Sequence, residues 1–166
     1  MLAILAVAAA LTAGGDVHVI HGDRSAGGIR IGRSTVPDVQ KLFGVQSTSR
    51  KLSAQSCVQS WKRLYLVVHF FSFEGRPCTE GGALTVTVTG RAAWRTALGL
   101  RVGDAVARLR SLYPRARLRG QGFDRGYWLL TRQNCAEVGG GAYPGLLARV
   151  RNGRVSALVA GISICD

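Results

Sequence analysis

This 166-residue sequence is short of lysine, of acid and of closely spaced ligand pairs. Lys41, Lys51 and Lys62 are the only lysines among 22 basic residues, so arginine carries most of the positive charge. The nine acidic residues are scattered, and no Gly-x-Ser-x-Gly nucleophile motif occurs. With neither a clustered carboxylate pair nor a nucleophile motif, the sequence points to a protein that is not an enzyme. The four cysteines form no Cys-x-x-Cys pair, which excludes the usual zinc spacing. Three histidines, His18, His21 and His69, complete the ligand inventory, and no metal or cofactor is expected. No apolar run reaches the roughly 20 residues that a membrane-spanning helix needs.

What is present begins with an uncharged apolar run from Leu2 to Leu11, followed by Ala13, Gly14 and Gly15. Its length and small-residue tail are those of a secretory signal. It lacks a basic n-region, and an apolar helix packed in the core is the other reading. The signal reading gives a signal peptide at 1–15, cut near 13–15, and a flexible leader at 16–27. The mature chain is then secreted or extracytoplasmic, without stable membrane insertion. No cysteine stands near the cut to take a lipid anchor. An exported chain meets oxidising conditions, so Cys57, Cys78, Cys135 and Cys165 are read as two disulfides. Sequence alone permits three connectivities. If each half of the chain folds as a unit, Cys57 pairs with Cys78 and Cys135 with Cys165, each loop contributing roughly 3 kcal/mol.

The body of the chain repeats itself. Gly28-Ile29-Arg30-Ile31-Gly32 leads into an apolar pattern at Val36, Val39, Leu42 and Phe43. Gly99-Leu100-Arg101-Val102-Gly103 leads into the same intervals at Val106, Leu109, Leu112 and Tyr113. The first copy holds one more residue in the turn after its second glycine. The intervals place each set on one face of a helix, and the chain reads as a tandem duplication, with repeat 1 at 28–98 and repeat 2 at 99–166. Strand patterns follow each helix. In repeat 1 they are Leu64 to Phe71 and the strictly alternating Leu84 to Thr89, whose Leu84, Val86 and Val88 are expected inward and whose threonines are expected outward. In repeat 2 they are Tyr127 to Leu130, then Leu146 to Arg151 joined to Val155 to Ile164 through Asn152-Gly153, a strong hairpin signal. The predicted fold class is α+β: two tandem repeats, each a short helical segment packed on one face of a small antiparallel β-sheet, with the other face free for function.

The net charge of +13 has two readings: attraction to a polyanion, or coding bias in a chain rich in Ala, Gly, Val and Arg. The densest basic stretch places Arg108 and Arg110 on the second helix and alternates Arg115, Arg117 and Arg119 after Pro114. On an extended segment residues two apart share a face, and aligned guanidinium groups suit phosphate or carboxylate. A solvated outer face is the other reading. The stretch lacks the interleaved aromatics that stack single-stranded bases, so nucleic acid is not the expected partner.

The glycine-flanked opening, the helix spacing, the following strands, the two copies and one cysteine pair per copy together resemble the β-lactamase-inhibitor-protein-like fold family, over about Gly28 to Asp166. The resemblance implies a non-catalytic, inhibitor-like binding module in which the repeats join into a larger concave sheet surface that holds a protein partner. No loop matches the family's enzyme-blocking residues. The candidate partner-binding residues come instead from the strands and their flanks: Trp61, Tyr65, His69, Thr85, Thr87, Tyr127, Trp128 and Arg132, of residue types favoured at interfaces. An aromatic on a strand has packing as its alternative role, and Trp94 and Phe123 are read as packing or linker residues. The alternative function is electrostatic binding of an anionic cell-envelope polymer through Arg108, Arg110, Arg115, Arg117 and Arg119.

Overall fold

The computed structural model describes residues 18–91, 94–133 and 141–161. Twelve strands and two short helices follow one another as β1 (His18–His21), β2 (Ser25–Ala26), β3 (Ile29–Arg30), α1 (Val36–Phe43), β4 (Thr48–Lys51), β5 (Ser56–Trp61), β6 (Leu66–Phe71), β7 (Gly82–Val88), β8 (Trp94–Thr96), α2 (Val106–Leu112), β9 (Arg117–Arg119), β10 (Gly126–Gln133), β11 (Ala142–Arg151) and β12 (Arg154–Gly161). The signal assigned to residues 1–15 and the cysteines Cys135 and Cys165 lie outside the described residues. Residues 18–26 fall within the segment read as a leader, and they form β1 and β2.

The expected fold class is corrected by the sheets. Instead of two small helix-covered sheets there is one eight-stranded antiparallel sheet, in the order β4-β5-β6-β7-β12-β11-β10-β9, and a second sheet ordered β3-β2-β1-β8. The molecule is mostly strand. Its large sheet is continuous because β7 pairs with β12, with Leu158 opposite Val88 and Ala160 opposite Val86. All four of these side chains are buried. Splitting the sheet there would expose them to water, at roughly 25 cal/mol for each Å² of apolar surface.

Local chemistry accounts for the elements. The four glycines of the two openings, Gly28, Gly32, Gly99 and Gly103, all have φ between 79° and 94°, where a Cβ is strained. The openings then dock in matching ways. Gly32 N–H donates to Ala83 O and Gly103 N–H to Val155 O, both at 2.7 Å, while Val36 N–H donates to Gly81 O and Val106 N–H to Gly153 O, both at 3.1 Å. Each opening is thereby sewn to the start of the last strand in its own half of the sheet. In α1 the Asp38 carboxylate accepts the Thr35 N–H at 2.9 Å, which satisfies a donor at the helix start. Val36 and Val39 are buried, Phe43 is half-buried and Leu42 is exposed, so the apolar face is narrower than its four-residue pattern. The Asn152-Gly153 turn joins β11 to β12 with positive φ at both residues, the geometry that fits the twist of a two-residue hairpin.

One buried cluster unites the molecule. Ile20, Ala26 and Ile29 of the second sheet, Val36 and Val39 of α1, and Leu109 of α2 pack with Trp61, Leu66, Val68, Phe70, Val86, Val88, Leu158 and Ala160 of the large sheet. Trp94 is fully buried in it, and its indole N–H donates to Leu64 O at 2.9 Å. At Leu84 the expected alternation slips. Phe70 faces Ala83 and His69 faces Thr85, leaving Leu84 unpaired in a register shift. Ala83 therefore takes the inward place, and Leu84 is only half-buried.

Candidate functional site: the outer face of the large sheet

Strand partners opposite one another point to the same side of a sheet, and adjacent residues point to opposite sides. One row of partners runs Trp61, Leu66, Val88, Leu158, Ala148, Tyr127, Leu118. Its central members are in the core cluster, so this row marks the inner side. The neighbouring row crosses every strand: Thr48, Ser60, Val67, Thr87, Val159, Leu147, Trp128, Arg117. It marks the outer side. Both helices and the second sheet bury their apolar side chains on the inner side.

The outer face changes character along this row. Toward β4 it carries Thr48, Ser60, Val67 and Thr87, with Val58, His69 and Thr85 in a parallel row. Thr48 and Ser60 share a hydroxyl hydrogen bond at 2.6 Å. Phe71 extends that side, and Phe73, 81% exposed, stacks edge-on against it at 4.9 Å. Toward β9 the face carries Trp128, Arg117, Arg119 and Arg149. The Arg119 guanidinium lies 5.7 Å from the Trp128 ring centroid, within cation–π range, and the Trp128 indole N–H donates to Asp124 O at 3.0 Å. Leu147 is 2% exposed although it points outward. It lies over Gly126, where a Cβ would come within 2.0 Å of Leu147 Cδ1, so only glycine leaves room for it. None of the side chains named on this face is acidic.

The candidate residues divide by strand parity. His69, Thr85, Thr87 and Trp128 share the outer face. Trp61 does not: it is 3% exposed in the core, and its indole N–H donates to Gly44 O at 2.9 Å. Tyr127 points inward beside α2, where Arg110 Nη2 donates to its hydroxyl at 3.2 Å. Arg132 is held by Asp23 through two hydrogen bonds of 2.6 and 2.9 Å, tying β10 to the β1–β2 turn. That guanidinium, as hydrogen-bond donor, lowers the Asp23 pKa. Tyr65 sits in the β5–β6 turn with φ of 51°, packed on Gly90. Trp61, Tyr127 and Arg132 are thus placed away from the face they were expected to line, because each stands one residue, or one bulge, out of step with it.

Among the arginines, Arg117 and Arg119 share the outer face as alternation predicts, but Arg115 precedes the strand in a turn. Arg117 Nη1 donates to Pro114 O at 3.0 Å and to Ala116 O at 3.1 Å. Arg108 pairs with Asp104 at 3.2 Å on the exposed flank of α2. Phe71, Phe73 and Arg149 were missed. The i, i+2 spacing of His69, Phe71 and Phe73, and of Leu147 and Arg149, is the signal that places them together.

His69 carries the most reactive arrangement on the face. It shares a hydrogen bond with Ser56 Oγ, and burial lowers its pKa. Among the described residues no carboxylate hydrogen-bonds to its ring. Cys57 and Cys78 form a disulfide behind this half of the sheet, while Gln59, fully buried, donates from Nε2 to Cys78 O at 2.8 Å. Among the described residues no helix is long and apolar enough to cross a membrane. Comparison with protein-family models, with curated proteins and with solved structures finds no match.

Proposed function

We propose that this protein is an exported, non-catalytic binding module that holds an acidic protein partner on the outer face of its eight-stranded sheet. The observation that carries the reading is the row from Thr48 to Arg117, which crosses all eight strands on the side away from the core. The face around it combines hydroxyl and β-branched residues toward β4 with an aromatic at each flank, Phe73 and Trp128, and Arg117 and Arg119 at the β9 end. Aromatic and arginine anchors contribute most at protein interfaces, and a face without acid favours an acidic counterpart. The single sheet, built half from each half of the chain, supports the resemblance to the β-lactamase-inhibitor-protein-like family. The Cys57–Cys78 disulfide supports an oxidising compartment, in keeping with the apolar N-terminal run read as a signal.

The test is capture from envelope and culture-fluid fractions of the source with the oxidised protein, eluted by a rising salt gradient. Thr87→Trp places bulk at the centre of the face, and Arg117→Glu with Arg119→Glu reverses its charged end. Arg95→Glu, on the exposed side of β8, is the control. A discrete protein retained at high salt by the wild type and the control, and lost by the two face variants, is the expected result. Retention that ignores the face variants overturns the reading. So does elution of a polymer at modest salt, which would make the arginines alone the binding element.

A further inference from the structure

We infer that the β9–β12 end of the molecule holds a site for a phosphate- or sulfate-type oxyanion, centred on Arg125 and Arg151. An open cavity of about 830 Å³ lies there, and Arg125, Tyr127, Arg149, Arg151 and Ser156 supply its polar lining. Among the described residues none that lines it is acidic. A second, smaller cavity of about 340 Å³ shares Leu118, Gly122 and Arg125 with the first and adds Arg119, so Arg125 stands between the two. The sequence from Arg101 to Arg154 holds eleven arginines against Asp104, Asp124 and Glu137. Among the described residues the ion pairs of this stretch are Arg108 with Asp104 and Arg132 with Asp23, and neither includes Arg125 or Arg151.

The chemistry converges on an oxyanion. Guanidinium groups present planar, paired donors that match phosphate and sulfate oxygens. The Ser156 hydroxyl, in the same lining, is a further donor. Gathering like charges around one opening costs energy that an anion relieves, which gives the binding its driving force. This site adjoins the charged end of the face proposed to hold a protein partner and shares Arg119 and Arg149 with it, but its centre, Arg125 and Arg151, lies outside that row, and it stands or falls without the partner reading. A free oxyanion and one carried on a polymer share the chemistry, and the experiment separates them.

Isothermal titration with inorganic pyrophosphate and, in parallel, with a polyphosphate chain tests the assignment. The wild type is expected to bind at least one probe saturably, with affinity about tenfold lower in Arg125→Ala and in Arg151→Ala and unchanged in Arg95→Ala. Tyr127→Phe, which keeps the ring beneath Arg110, is expected to lose less. Saturation by pyrophosphate points to a free anion, and saturation by polyphosphate alone points to a polymer-borne one. Circular dichroism confirms that the variants, altered at exposed arginines, keep the fold. Equal weakening in Arg125→Ala, Arg151→Ala and Arg95→Ala, or no saturation by either probe, would overturn the site in favour of diffuse charge.

Discussion

The two halves of the large sheet, β4–β7 and β9–β12, follow the same path and present different chemistry. Both begin from a glycine-flanked opening and a short helix, and both are sewn to their last strand by hydrogen bonds of matching length. Their inner rows are alike in kind, with Val68, Phe70 and Val86 in one half and Leu146, Ala148 and Leu158 in the other, all packed in one core. Their outer rows diverge. The first half shows hydroxyls, His69 and the Phe71–Phe73 pair; the second shows Trp128 and arginines. A side chain that faces the core must fit neighbours on every side, whereas one that faces outward answers only to what it meets. The divergence is therefore confined to the rows that packing leaves free to vary.

The largest effect that bears on this comparison is expected at the seam. Leu158→Ala empties a fully buried position between the halves and should cost about 4 kcal/mol. Urea unfolding followed by tryptophan fluorescence and far-ultraviolet dichroism should show one coincident transition at lower denaturant, since both halves share the core. Two separated transitions would mean that the halves fold as independent units. Next in size is the disulfide, found in the first half only among the described residues. Replacing Cys57 and Cys78 by serine should remove roughly 3 kcal/mol by the loop-entropy account while leaving the Trp128 indole N–H resonance, read by NMR, unchanged, because that residue lies across the seam. A shifted Trp128 resonance would show that the staple shapes both halves.

The smallest effect expected is a pH dependence confined to the first half. Burial holds the His69 pKa below its ordinary value, so the unfolded chain takes up the proton more readily than the folded one. The stability tied to the neutral ring is fully present above the ordinary histidine value of about 6.5 and declines as pH falls toward the folded value. His69→Gln should flatten this decline between neutral and mildly acidic pH, with a change within about 0.5 kcal/mol at neutrality. Chemical denaturation at stepped pH reads it, and a slope unchanged by the substitution would place the sensitivity elsewhere.

Local features of the molecule were legible in the sequence, and pairings distant along the chain were not. The glycine openings, the positions of both helices and the Asn152-Gly153 hairpin depend on neighbouring residues and follow from spacing, whereas the α1 face is narrower than its pattern, with Leu42 left exposed. The β7–β12 seam joins residues far apart in the chain, and nothing local distinguishes one joined sheet from two small ones. Parity was readable but easily lost. Trp61 shares its spacing with Cys57 and Gln59, which marks it as inward, and Tyr127 and Trp128 are adjacent and so face opposite ways. Leu84 was misplaced because a single register shift between His69 and Phe70 moves the inward position to Ala83. A bulge of this kind arises from tertiary fit and leaves no trace in alternation.

Among the described residues the large sheet ends at β4 and β9 without closing, and these two margins bear the same sign. The β4 margin carries Arg50 and Lys51, exposed along the whole strand, and the β9 margin carries Arg117 and Arg119. Open strand edges invite another chain to add to the ladder. Any two copies meeting margin to margin, in either combination, would bring cations against cations. Like charge at both edges thus disfavours the end-to-end growth of the sheet into a ribbon.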